Sequence, residues 1–154
     1  MSVSIDDLIE PDLVVLDLDA PDSATAIGAL ADRMADKGRV TDREAFVNTV
    51  LAREKETGGT GMESGIAIPH GKHAAVAKAS VAFGRVAGGV DFGAADAPSD
   101  LVFLIAAPEG ADDLHITVLS RLARKLIYED FRNALRNAPT AEAVVDTLRE
   151  GIQL

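Results

Sequence analysis

The sequence predicts an α/β or α+β fold in which a central sheet is covered by helices. Short β-type segments alternate with amphipathic helical segments, and an unbroken apolar run at 101–107 is flanked by prolines. Hydrophobic residues make up 47% of the 154 residues, which excludes a disordered chain. No repeat or Pro/Gly/Ser-rich linker divides the sequence, so we expect a single domain over 1–154.

The first elements are indicated by apolar spacing and by capping residues. The apolar run at 13–16 predicts a short strand. Asp22 can cap a helix that ends before Gly38, because an acceptor side chain suits a helix start and a glycine suits its end. The apolar face of this helix would carry Ile27, Leu30, Ala31 and Met34.

A second helix is predicted from the spacing of Thr41 and Glu44, which form a capping box. Its apolar positions are Phe46, Val47, Val50 and Leu51. We expect this helix to stop near Arg53, because the glycine-rich segment 57–61 cannot sustain a helix.

Three later segments have strand character. The segment 66–68 precedes Pro69, and a residue before proline is pushed into the extended region. The segment 79–86 is rich in β-type residues, and 101–107 predicts a central strand that is buried on both faces.

The last third of the sequence predicts three helices. Asp112 or Asp113 can cap the first, a short second helix surrounds Phe131, and Thr140 caps a third that ends at Gly151. The first of these helices aligns the apolar residues Leu114, Val118, Leu122 and Leu126.

Composition and charge limit the classes of function. The net charge of −10 argues against a nucleic-acid partner, and the many acids with few lysines resemble the composition of halophilic archaea. The absence of cysteine excludes disulfides, thiolate metal sites and a cysteine nucleophile in this sequence. Because there is no apolar run of membrane length and no signal-peptide pattern at the start, we expect a cytoplasmic protein.

His70 is the main candidate for chemistry. It lies in the sequence GIAIPHGK, where Pro69 fixes the chain before it and Gly71 leaves its approach open. The segment 64–90 contains no acid, although it contains Lys72, Lys78 and Arg85. This pattern fits an electropositive pocket for an anion, and it also fits a buried stretch of small residues that excludes charge.

Together with Arg53-Glu54 and Thr60-Gly61, this block resembles the signature of enzyme IIA of the fructose–mannitol class. These proteins belong to the phosphoenolpyruvate-dependent sugar phosphotransferase system. His115 is similar to the second active-site histidine of that family, and the resemblance spans nearly the whole chain. It implies a phosphotransferase/anion-transport-like sandwich, with a mixed sheet of about five strands flanked by helices and with no cofactor or metal.

The resemblance also implies a reaction and its partners. His70 would accept a phosphoryl group from phosphohistidine on HPr and pass it to a cysteine of enzyme IIB for sugar uptake, with fructose as the expected sugar. Because this sequence has no cysteine and no membrane segment, enzyme IIB and the IIC permease are expected to be separate proteins.

Four further residues would support the phosphoryl group. During transfer its oxygens carry negative charge, which fixed positive groups stabilise. Arg53 could offer a planar fork of donors, His115 a ring N–H at a helix start, and Thr60 its hydroxyl. Glu54 would orient Arg53. The glycines Gly61 and Gly71 complete the predicted support.

Alternatives remain for these residues and for the protein. Arg53 could be a solvated helix-end charge, and Thr60 could only shape the turn. The family often has Ser or Thr in place of Gly59 and glycine in place of Glu63, which puts the minor ligands in doubt.

Two rival functions are also open. A regulatory, nitrogen-type IIA protein would use the same histidine, and its phosphorylation state would control its protein partners. A metalloenzyme would use His70 and His73 with carboxylates, although two histidines at this spacing on a loop are a weak metal signal.

Overall fold

The computed structural model describes residues 5–110 and 114–152, and at 114 and 115 it describes the backbone alone. The helices are α1 (Ile5–Leu8), α2 (Ser23–Asp36), α3 (Arg43–Thr57), α4 (Leu114–Lys125), α5 (Glu129–Asn137) and α6 (Ala141–Gly151), and a 3₁₀ turn covers Pro11–Leu13. The strands are β1 (Val14–Val15), β2 (Gly61–Met62), β3 (Ile66–Ala67), β4 (His70–His73), β5 (Ser80–Val90) and β6 (Ser99–Pro108).

These strands form one mixed sheet of six strands, in which β6 is central. The sheet order is β1-β5-β6-β3-β2, and β4 also pairs with β6. The β5–β6 and β2–β3 pairs are antiparallel, whereas β1 runs parallel to β5, and both β3 and β4 run parallel to β6. The predicted α/β class with a helix-covered mixed sheet is confirmed, with one strand more than expected.

The predicted central strand is confirmed in β6. Every residue from Leu101 to Ala107 is buried, and the rings of Phe83 and Phe103 meet across β5 and β6 with centroids 5.0 Å apart. Helices α2 and α3 pack on each other and against β5 and β4, and α4 packs against β6. Burial of this apolar strand on both faces places the core at the centre of the sheet.

Strands β3 and β4 together follow one edge of β6. Ile66 pairs with Leu101 and His70 pairs with Ile105, so the register is the same before and after the interruption. The interruption falls at Pro69, which has no N–H to donate, although its carbonyl still accepts from the Ile105 N–H at 3.0 Å. Tertiary pairing with β6 thus makes a strand of the segment that begins at His70.

Capping residues fix the helices largely as predicted. Asp22 accepts a hydrogen bond from the Thr25 N–H at 2.7 Å at the start of α2, and Thr140 does the same for Ala143 at 3.1 Å in α6. The predicted caps Asp112 and Asp113 of α4 lie outside the described residues.

The start of α3 differs from the prediction. Asp42 is the cap, since its carboxylate accepts from the Ala45 N–H at 3.1 Å. Thr41 was predicted in that role, and this was wrong because its N–H and hydroxyl both donate to the Ala75 carbonyl, at 2.7 and 3.1 Å. A tertiary contact therefore moves the helix start by one residue.

The end of α3 also differs, because the helix continues past Arg53 to Thr57. The Thr57 hydroxyl donates to the Arg53 carbonyl at 3.1 Å and supports the extra turn. Gly58 then adopts a left-handed conformation with φ of 79° and donates to the Glu54 carbonyl, which ends the helix.

Candidate functional site

The His70 side chain is half-buried at the start of β4, and its ring orientation is fixed by the chain just before it. Its Nδ1 atom lies 2.9 Å from the carbonyl oxygen of Ile68. A carbonyl oxygen only accepts, so Nδ1 carries the proton in this hydrogen bond. In the neutral ring the lone pair then lies on Nε2, which makes Nε2 the nucleophilic atom.

Gly71 is buried where β4 crosses α3. A Cβ atom at this position would lie 2.9 Å from Val50 Cγ2 and 3.4 Å from Phe46 Cε1. Alternation along the strand therefore sends the His70 side chain away from α3. Glycine at 71 allows the close approach of helix and strand, which is a different reason from the open access inferred from the sequence.

Arg53 lies near the end of α3 with an exposed side chain. It follows Thr49 and Val50, two residues that border Gly71, by about one helical turn. The face of α3 that packs against β4 at Thr49 and Val50 thus presents the exposed guanidinium of Arg53 one turn later.

The loop that follows α3 is connected to His70 by a series of hydrogen bonds between side chains and backbone groups. Glu54 is buried, and its Oε1 accepts from the Thr60 N–H at 3.2 Å. The Thr60 carbonyl accepts from the Ile68 N–H at 3.4 Å, and the Ile68 carbonyl faces His70 Nδ1. The sequence pointed to Glu54, Thr60 and His70 as site residues, but it did not reveal the contact of Ile68 with His70. A backbone carbonyl leaves no signal in residue type.

Two buried side-chain oxygens, one at the end of α3 and one in the loop, have no hydrogen-bond partner among the described residues. They are Oε2 of Glu54 and Oγ1 of Thr60. Burial of unpaired polar atoms costs free energy, and such atoms are rare in folded proteins. The Thr60 hydroxyl is therefore a donor that the fold itself does not use.

Gly59 and Gly61 pack against a second loop. A Cβ at Gly59 would lie 2.0 Å from the Phe92 carbonyl oxygen, and one at Gly61 would lie 2.9 Å from the same atom. Gly59 also has φ of 108°, and the Gly61 N–H donates to the Phe92 carbonyl at 2.9 Å. These close approaches and the positive φ leave no room for a side chain at position 59. Glu63, the other departure, is exposed.

His73 lies on β4 and not on a loop as predicted. It is three residues from His70, so the two side chains leave the strand on opposite faces. Its Nδ1 accepts from the Ala75 N–H at 2.9 Å. Among the described side chains, those of 5–110 and 116–152, no group of three or more His, Cys, Asp or Glu could hold a metal ion. The geometry of the two histidines opposes the metalloenzyme alternative.

Arg85, a basic residue of the acid-free segment, is engaged at the end of α5. Arg85 is half-buried, and its Nη1 donates to the carbonyls of Leu135, Arg136 and Ala138 at 2.9–3.1 Å. It thereby satisfies the carbonyls at the end of α5. His115 lies in the first turn of α4, and its side chain is outside the described residues.

The mixed sheet with its covering helices is the fold of solved IIA proteins of phosphotransferase systems. Nitrogen regulatory protein IIA-Ntr from Neisseria meningitidis is 32% identical, with a TM-score of 0.83 over 94% of this chain and 97% of that one. Enzyme IIA-mannitol of Escherichia coli, solved in complex with phosphorylated enzyme IIB-mannitol, is 28% identical, with a TM-score of 0.76 over 91% and 96% of the two chains.

Residues 7–151 match the family described as "Phosphoenolpyruvate-dependent sugar phosphotransferase system, EIIA 2", and the chain belongs to this family. It is 43% identical over 129 residues to the fructose-specific EIIA component of Haloferax volcanii, covering 83% of both. It is 35% identical over 149 residues to the fructose-specific EIIABC component of Bacillus subtilis, of which it spans 23%. The chain is thus a phosphotransferase component of the phosphoryl-carrier type.

Proposed function

We propose that this chain accepts a phosphoryl group on Nε2 of His70 from phospho-HPr and passes it to a cysteine of an enzyme IIB. The observation that carries the proposal is the contact of His70 Nδ1 with the Ile68 carbonyl, because it leaves Nε2 as the free nucleophile. The IIB cysteine would lie outside this sequence, which contains none. The relay would operate in the cytoplasm. Within the described residues, no helix is long and apolar enough to cross a membrane.

In the first step the Nε2–P bond forms while the N–P bond of the donor phosphohistidine breaks. The donor imidazole is the leaving group, and the three phosphoryl oxygens keep their charge throughout. In the second step the IIB thiolate attacks phosphorus, and the His70 imidazole leaves. Because Nδ1 stays protonated against the Ile68 carbonyl, the ring leaves from Nε2 as neutral imidazole.

The supporting roles follow from charge and position. Arg53 would bind the phosphoryl oxygens from the last turn of α3, where its guanidinium is exposed. The unused hydroxyl of Thr60 and a ring N–H of His115 would donate to the same oxygens. Glu54 would fix the loop at Thr60 by accepting from the Thr60 N–H, and it would not contact the phosphoryl group.

Fructose is the proposed sugar, since a fructose-specific EIIA component is 43% identical to this chain. The second candidate function is regulation of protein partners by the phosphorylation state of His70. The observation that favours it is the likeness to nitrogen regulatory protein IIA-Ntr, with a TM-score of 0.83.

Incubation with labelled phospho-HPr tests the assignment. We expect label on the wild type and on His73→Gln, a matched control on the same strand, and none on His70→Ala. Label on His70→Ala would overturn the proposal. Onward transfer of label to a fructose-type IIB cysteine supports transport, and its failure with every IIB protein of the same genome supports regulation.

A further inference from the structure

The antiparallel ladder between β2 and β3 extends one step past the two strands, to Thr60 and Ile68. The Ile68 N–H donates to the Thr60 carbonyl at 3.4 Å, which is long for a ladder bond. A hydrogen-bonded pair of an antiparallel ladder exchanges two bonds, so the Thr60 N–H would ordinarily donate to the Ile68 carbonyl. It donates instead to Oε1 of Glu54, at 3.2 Å. The second bond of this pair is thus redirected to a side chain.

The Ile68 carbonyl is thereby left to the His70 ring, whose Nδ1 lies 2.9 Å away. The N–H and the carbonyl of one strand residue point to the same side, and for Ile68 this is the side of β2. The next carbonyl, that of Pro69, points the other way and accepts from the Ile105 N–H of β6. The His70 ring therefore uses the acceptor that the missing ladder bond would have used.

The end of α3 places Glu54 where it can take the Thr60 N–H. The Glu54 backbone carbonyl accepts from the N–H of Gly58 and, at 2.8 Å, from that of Gly59, so the chain turns back over this residue. The next N–H along the chain, that of Thr60, then meets the carboxylate. Glu54 is only 9% exposed. A charged acceptor that is shielded from water makes a stronger hydrogen bond than a neutral carbonyl.

The loop is also held from its other side. The Gly61 N–H donates to the Phe92 carbonyl at 2.9 Å, and a Cβ at Gly59 would lie 2.0 Å from the same oxygen. These contacts fix the residues before and after Thr60. Loss of the Glu54 carboxylate would therefore leave the Thr60 N–H in place, opposite Ile68.

We infer that Glu54 is a positioning residue for His70. By taking the Thr60 N–H, it reserves the Ile68 carbonyl for the Nδ1–H of His70 and so keeps the lone pair on Nε2. Without the carboxylate, the Thr60 N–H and the Nδ1–H would compete for one oxygen, and the tautomer with its proton on Nε2 would gain population. In that tautomer Nε2 offers no lone pair to phosphorus. The consequence for phosphoryl transfer rests on the proposed function, whereas the tautomer itself does not.

The tautomer of His70 in the unphosphorylated protein tests the inference without any transfer step. The ¹⁵N shifts of the two ring nitrogens, recorded at about pH 9 where the ring is neutral, give the ratio of the tautomers. We expect the Nδ1–H form to dominate in the wild type and in Glu54→Gln, whose amide oxygen can still accept from the Thr60 N–H. In Glu54→Leu, which keeps an apolar group in the buried position, the ratio of the Nδ1–H to the Nε2–H form should fall about tenfold.

A scalar coupling through the hydrogen bond identifies the cause of this change. In Glu54→Leu a coupling between the Thr60 amide ¹⁵N and the Ile68 carbonyl ¹³C should appear, and the wild type should lack it. Two controls should match the wild type in both measurements. Glu56→Leu removes an exposed carboxylate from the same helix, and Val145→Ala lowers stability in α6, which packs against α1 and α5. A changed tautomer in Val145→Ala would attribute the effect to general loosening of the fold and overturn the inference.

The rate of phosphorylation by phospho-HPr connects the tautomer to the reaction. Glu54→Leu should lower the maximal rate by the same factor as the Nδ1–H population, with the half-saturating donor concentration within about twofold of wild type. If the coupling appears while the tautomer stays unchanged, the Ile68 carbonyl serves both donors and the inference fails. A slower rate with an unchanged tautomer overturns it as well. If the tautomer changes as expected but wild-type His70 takes no label, the inference stands and only the proposed function fails.

Discussion

His70 Nδ1 and the Ile68 carbonyl oxygen are 2.9 Å apart, across the proline that interrupts the strand path along β6. The contact fixes the tautomer and the ring orientation of the histidine together. The contact involves no other side chain, so the His70 ring is oriented by the backbone of the segment that leads into β4.

This contact predicts which nitrogen is phosphorylated. We expect the phosphoryl group on Nε2 of His70, since Nδ1 is occupied as a donor to Ile68. The ¹⁵N shifts of the phosphorylated ring and its coupling to ³¹P distinguish the two nitrogens. A phosphoryl group on Nδ1 would contradict this orientation of the ring.

His115→Ala should slow phosphoryl transfer about a hundredfold while the protein stays folded, because it would remove a donor to the transferring group. Stopped-flow or quench measurements of phosphorylation by phospho-HPr give the rate. Ser120→Ala, an exposed position on the same helix, is the control. Transfer at the wild-type rate in His115→Ala would remove this residue from the proposed site.

Gly71→Ala should destabilise the fold by about 1–3 kcal/mol, because its Cβ would lie 2.9 Å from Val50 Cγ2. The free energy of unfolding in urea measures the loss. Val50→Ala makes room at this contact, so the double variant should lose less than the sum of the two single variants. Strict additivity would argue against a direct clash.

Gly59→Ser should destabilise the protein by about 2 kcal/mol or more. The new Cβ would lie 2.0 Å from the Phe92 carbonyl, at a positive φ of 108°. Gly58→Asn is the control. Its position is left-handed but open, so we expect a change within about 1 kcal/mol in the same urea titration.

Glu10 should make folding stability sensitive to acid. Its hydrogen bond to Arg39 at 2.8 Å, aided by Lys37, lowers its pKa below the ordinary value of 4.5. A carboxyl with a lowered pKa in the folded state stabilises the protein above its unfolded pKa, and this stabilisation is lost as the pH falls through the folded pKa.

Glu10→Gln is therefore expected to lower the free energy of unfolding at neutral pH and to have a progressively smaller effect below about pH 4.5. Thermal or urea unfolding across pH 3–7 measures this difference. Glu109→Gln, an exposed residue outside the helices and strands, is the control and should show no such trend. A constant effect of Glu10→Gln at all pH values would be contrary to the lowered pKa.

Local signals predicted much of the fold. Apolar runs located β5 and β6, and cap residues such as Asp22 and Thr140 located two helix starts, because these features depend on neighbours in sequence. The strands β2 and β4 were missed, since neither segment has a periodic apolar pattern, and pairing with distant strands alone makes them extended.

By itself, the sequence determined the helix-covered sheet, the family signature around His70 and the absence of a cysteine acceptor in this sequence. Only the tertiary structure decided which nitrogen of His70 is held against the Ile68 carbonyl, the reason for glycine at 59 and 71, and the engagement of Arg85 at the end of α5. The physical reason is the sequence separation of the interacting groups. Residue type and spacing report local preferences, whereas a backbone carbonyl or a close approach of two elements exists only after distant segments have packed together.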